Sequence, residues 1–161
     1  MGTNELSVLL WKERELLELL QFKLEEQHLL LVAGKSQWLE LATREIESVL
    51  EKVHAAGLVR GIEASAVAVG WGISGDSPLA QIIDSAPEGP WKEIFTAHLG
   101  ALRSTSSEIA RLRDANEHYL RAAYRSTQET LAKLGDDPSL YGPKSSTPAH
   151  TAVAHIVDTN L

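Results

Sequence analysis

A run of thirty residues, Asn4 to Ala33, contains neither Pro nor Gly and repeats Leu at helical spacing. Leu6, Leu10, Leu17, Leu20, Leu24 and Leu31 lie on one line of steps of three and four, with Glu13 and Gln27 as its polar members. Such steps place side chains on one stripe of an α-helix, so the run predicts a helix whose seam packs against other helices. At ~1.5 Å per residue it spans ~45 Å, longer than a compact domain of this size is wide. The expected object is an elongated bundle rather than a globule around a pocket.

The rest of the chain extends that picture. Thr3 is the expected N-cap of the first helix, Glu5 suits the dipole of its first turn, and Gly34 can end it in the left-handed C′ position. The turn Gly34 to Ser36 is short, which predicts a second helix from near Gln37 folding back antiparallel. Its seam reads Leu39, Ala42, Ile46, Val49, Val53 and Ala56, fails at Arg60 and Glu63, and resumes out of phase through Leu58, Ile62, Ala66 and Val69. The apolar face is therefore expected to rotate, with a bend, a close helix crossing or a helix end near Gly57 and Gly61. Between Gly70 and Pro90 the breakers are dense, and one short helix fits: Ser77 as N-cap, Pro78 first, and Leu79, Ile82 and Ile83 buried.

The last long helix is expected to begin at Pro90 or Trp91 and, with no Pro and no Gly after Gly100, can run to Leu134 before Gly135 caps it; spacing leaves open whether it is continuous through Ser104–Ser107. Its stripe holds Trp91, Ile94, Phe95, Leu99 and Leu102, then the polar run Ser104 to Ser107, then Ile109, Leu112, Asn116, Tyr119, Leu120, Ala123, Tyr124, Leu131 and Leu134. Unbroken, it would be ~66 Å long and exceed the first helix by ~20 Å, leaving its C-terminal part without an intramolecular partner. Residues 136–161, rich in Pro, Ser, Thr and Ala, are expected to form a flexible tail. The predicted fold is all-α: an elongated antiparallel bundle of three long helices plus a short connecting helix in residues 1–135.

Composition narrows the function. A net charge of −7 without a basic stripe argues against nucleic acid and anionic membranes as partners. The absence of Cys removes disulfides, thiolate metal sites and a thiol nucleophile, and fits a reducing compartment. The N-terminus carries Glu5, Lys12, Glu13, Arg14 and Glu15 where a signal peptide would be apolar, so export by the general route is not expected, and the apolar stretch from Ala66 to Ile73 is too short to span a bilayer. No two of His28, His54, His98, His118, His150 and His155 have the helical spacing of a zinc site, and they read as surface histidines. The pairs Glu13 with Glu15 and Glu25 with Glu26 read as solvated faces. Gly70 to Gly75 follows a helix and lacks Lys, so it reads as a connection, not a phosphate loop. Trp38, Trp71 and Trp91 read as core anchors at helix ends, and Trp11 reads the same way unless it is exposed. No cofactor, metal or enzymatic constellation is expected. Asn116, like Ser106 and Thr127, interrupts an apolar stripe; it is either a polar residue turned to solvent or an amide fixing the register of a bound helix.

Several motifs carry a resemblance. Leu6-x-x-Leu9-Leu10-x-x-Glu13, Leu16-Leu17-x-x-Leu20 and Leu24-Glu25-Glu26 come first. Arg60 with a small-residue helix ending at Gly72-Ile73, then Ser77-Pro78-Leu79, then Ile109-Ala110-Arg111-Leu112 running into Asn116-Glu117-His118-Tyr119-Leu120 follow, and Leu140-Tyr141-Gly142 closes the series. In this order, across most of residues 6–142, the chain resembles the FlgN-type flagellar export chaperones. The family often carries Asn directly after the Leu corresponding to Leu112, where this chain has Arg113. The resemblance implies a cytoplasmic chaperone of the flagellar type III export system. Its partners would be unassembled hook-associated proteins, bound by their C-terminal amphipathic segments, and the flagellar export gate. The expected client surface is Leu112, Asn116, Tyr119, Leu120, Ala123, Tyr124, Thr127, Leu131 and Leu134, with Leu140 and Tyr141 docking from the tail. The rival reading from the residues alone is a coiled-coil adaptor or self-associating scaffold, and weak homo-oligomerisation is compatible with both.

Overall fold

The computed structural model describes residues 2–136. The proposed tail from residue 137 onward, with Leu140 and Tyr141, lies outside the described residues. Three long helices and a short one follow in order: α1 (Gly2–Val32), α2 (Leu39–Gly70), α3 (Leu79–Asp84) and α4 (Pro90–Gly135), with a single 3-10 turn, Ser36–Trp38, before α2. Helix α4 has 46 residues and runs unbroken through Gly100 and the polar run at Ser104. Gly135 is its last residue instead of its cap, and α1 begins at Gly2, so Thr3 is helical and not the N-cap. Pro78, not Ser77, is the N-cap position of α3.

Both hairpin helices end in the same way. Lys35 N–H donates to the Leu30 carbonyl at 2.9 Å and Gly34 N–H to that of Leu31 at 3.2 Å. At the end of α2, Ile73 N–H donates to Ala68 and Gly72 N–H to Val69, each at 3.0 Å. These are Schellman closures, which satisfy the last carbonyls and need a left-handed residue at C′; Gly34 and Gly72 have φ of +66° and +79°. The glycine-rich stretch after α2 is therefore a helix cap.

Helix α1 packs against both α2 and α4, and α3 bridges α2 and α4 at one end. One seam on α1, made of Leu6, Leu10, Leu17, Leu20 and Leu24, serves both neighbours and joins Ile46, Val49, Ala64 and Val67 of α2 to Phe95, Leu99, Leu102, Ile109 and Leu112 of α4. Trp71, Trp91 and Phe95 close the α3 end of that core, the last two stacked at 5.5 Å. Contacts fix the directions. Lys23 bonds Glu45, and Gln27 bonds Thr43, so α2 is antiparallel to α1. Ser7 meets His98 and Gln27 meets Asn116, offsets of 91 and 89 residues, so α4 runs parallel to α1 in constant register.

The expected rotation of the α2 face does not occur. The seam continues in phase through Arg60, Ala64 and Val67, while Leu58, Ile62, Ala66 and Val69 face solvent. Arg60 stays inward because α1 supplies its counter-charge: Arg60 Nε lies 2.7 Å from Glu13 Oε2, both side chains under a tenth exposed. Glu13 is thus buried, not part of a solvated face. One polar interruption of each seam thus meets the other, and α2 passes Gly57 and Gly61 without ending.

His98 also departs from the surface reading, at 2% exposure. Trp11 meets its ring edge-on, centroids 5.2 Å apart. Arg14 Nη1 stands 3.4 Å from Nδ1, and Ser7 Oγ stands 3.3 Å from Nε2. A guanidinium only donates, so Nδ1 accepts and the neutral ring carries its proton on Nε2. Burial, and secondly the charge of Arg14, hold the imidazole below its ordinary range. A folded-state pKa below the unfolded one means that protonation favours unfolding. Stability is full above about pH 6.5 and falls as pH drops below that through the folded-state value. The urea midpoint is expected to decline between about pH 7.5 and 5.5, and His98→Leu to flatten that decline; equal slopes in the two proteins would refute this role. Trp11 and Trp38, each about half exposed, are not core anchors.

Candidate interaction surface

Asn116 marks where α4 leaves the bundle. Its Nδ2 donates to the Leu24 carbonyl at 2.9 Å and to Gln27 Oε1 at 3.0 Å, and its Oδ1 accepts from His28 Nδ1 at 2.9 Å. Gln27 in turn donates to Thr43 Oγ1, which donates to the Leu39 carbonyl. A continuous line of hydrogen bonds therefore runs from α4 through α1 to α2. Asn116, 2% exposed, belongs to the interior and is neither turned to solvent nor open to a bound helix. Leu112, 4% exposed, is core as well. Buried amides left unpaired are costly, so this set holds α4 to a single register on α1.

Beyond it the surroundings change abruptly. Every residue from Glu117 to Asp136 is exposed. With the constant register of α4 on α1, Val32 falls opposite the neighbourhood of Leu120, and the last fifteen or so residues of α4, roughly 22 Å, pass the end of α1. The helical period shows what faces the space past that end. Stepping on from Leu112 and Asn116, the face of α4 that packs on α1 carries Leu120, Ala123, Thr127, Leu131 and Leu134, with Tyr119 and Tyr124 at its edges. Thr127 does not break the stripe, because its hydroxyl donates to the Ala123 carbonyl. Polar residues pair along the helix: Arg121 with Glu117, and Gln128 Nε2 with Tyr124 Oη at 2.8 Å. Tyr119 meets the His28 ring edge-on at 5.3 Å and ties the base of the stripe to α1.

Seven of the nine helix positions expected at the client surface thus stand together in the open, while Leu112 and Asn116 hold the bundle. The signal that separates them lay in α1: Gln27 is the polar residue of a Leu seam at the height of Asn116. Among the described residues no group of His, Asp and Glu is placed to hold a metal, and no helix is long and apolar enough to cross a membrane. Comparison with known proteins gives one family match, to the family described as FlgN protein, over residues 1–149. No curated protein and no solved structure matches the chain.

Proposed function

The chain belongs to the FlgN family of flagellar export chaperones, and on that premise we propose that it binds the C-terminal amphipathic segments of unassembled hook-associated proteins in the cytoplasm. It keeps them from associating prematurely and hands them to the flagellar export gate. The observation that carries this reading is the uncovered continuation of the α1-facing side of α4 past the end of α1. An amphipathic helix laid on that stripe occupies the position of a neighbouring helix and buries Leu120, Leu131 and Leu134 against its own apolar face. Handover demands release. An affinity between micromolar and tens of nanomolar, about −8 to −10 kcal/mol, suits a carrier of this kind. The chemistry is binding alone, and no cofactor enters it.

Titration calorimetry with the C-terminal segment of a cognate hook-associated protein is expected to give binding in that range with a negative heat-capacity change, the mark of apolar burial. No heat at tens of micromolar, in buffers of differing ionisation enthalpy, would count against the assignment.

A further inference from the structure

The outer face of α2 changes character halfway along. From Leu39 to Lys52, six of the eight exposed residues are charged; from Val53 to Gly70, none of the nine exposed residues is Asp, Glu, Lys or Arg. Those nine include Leu58, Val59, Ile62 and Val69, exposed by 56, 51, 73 and 64%. The two charged residues of that half turn away: Arg60 is buried on Glu13, and Glu63 lies beside Gly2. Solvent-facing helix surfaces normally carry charge, so an uncharged apolar face of this length marks a contact surface.

We propose that this face is where two copies of the chain associate, α2 against α2 about a twofold axis near Ile62. Charge chooses the occupant. Each copy carries −7, and most approaches bring like charges together, whereas this face meets its own image without opposing any charge. The lack of Lys and Arg on it counts against an anionic bilayer. Shape agrees: the space over Gly61 is open to 4 Å, and with Ala55 and Ala66 it allows close approach of a second helix. The stripe flanks the first half of α1, at the opposite end from the free part of α4, so pairing there leaves both α4 arms uncovered.

Light scattering after size exclusion at about 1 to 100 µM is expected to show a dimer, and Leu58→Glu with Ile62→Glu a monomer of unchanged helicity. Because the chain has no cysteine, Ile62→Cys is a clean second probe: mild oxidation should link two copies, and Glu40→Cys should not. The cross-link decides the question if the Glu variant fails to fold. A wild-type monomer throughout that range, or a dimer that survives the Glu variant or dissolves only when Leu131 and Leu134 are changed, overturns the proposal. Client binding is scored separately by calorimetry, so failure here leaves the proposed chaperone function standing.

Discussion

Replacing Leu131 and Leu134 together by Asp is expected to leave helicity and melting temperature nearly unchanged while weakening client-segment binding at least roughly tenfold, about 1.4 kcal/mol. Both side chains are more than half exposed, so carboxylates there remain in water and desolvate nothing in the free protein. In the complex the same carboxylates would lie against an apolar helix face. The contrast with the core is sharp. Leu20→Asp or Leu102→Asp, at positions 1% and 0% exposed, buries an unpaired carboxylate at several kcal/mol against a total stability of about 5–15 kcal/mol, and should unfold the chain. Circular dichroism and calorimetry on the same samples separate the two cases. Should the Leu131 and Leu134 variant unfold, those residues are core and not a docking surface; should it bind with undiminished affinity, the client lies elsewhere.

The second large effect belongs to Glu13 and Arg60. Glu13→Ala leaves the Arg60 guanidinium in the interior without that carboxylate and is expected to cost about 3–5 kcal/mol. For a chain of this length that is a fall on the order of 10 °C in melting temperature. Removing both charges with similar volume, Glu13→Leu with Arg60→Met, should restore stability to near or above the starting value, because the desolvation of both ions is then avoided. The pair also specifies register: sliding α1 by one turn along α2 would separate two buried charges. A loss below about 1 kcal/mol for Glu13→Ala would show that water reaches the guanidinium after all.

These predictions rest on features of unequal legibility. The seam of α1, its breaker-free course, its end at Gly34 and the buried side of α3 are local properties. Each follows from spacing, from a residue able to take positive φ, or from the absence of a breaker, and these act within a few residues along the chain. The excess length of α4 over α1 follows from constant rise per residue once α4 is continuous, and the structure shows that it is continuous past Ser104.

What spacing alone misassigned were polar residues whose partners lie far away in sequence. Arg60 reads as the failure of a seam until Glu13, 47 residues earlier, is set against it, and the supposed rotation of α2 is the result of that omission. Asn116 and His98 were misplaced for the same reason: each is buried only because α1 brings donors and acceptors to it across about ninety residues. A hydrophobic pattern records how much apolar surface a face offers; it does not record charges that neutralise each other or hydrogen bonds that close between helices. That is why the sequence by itself determined which segments are helical and where α1 stops. Only the tertiary structure decided where the bundle stops holding α4, and which of the two apolar lines on α2 faces water, since both depend on polar partners that chain distance conceals.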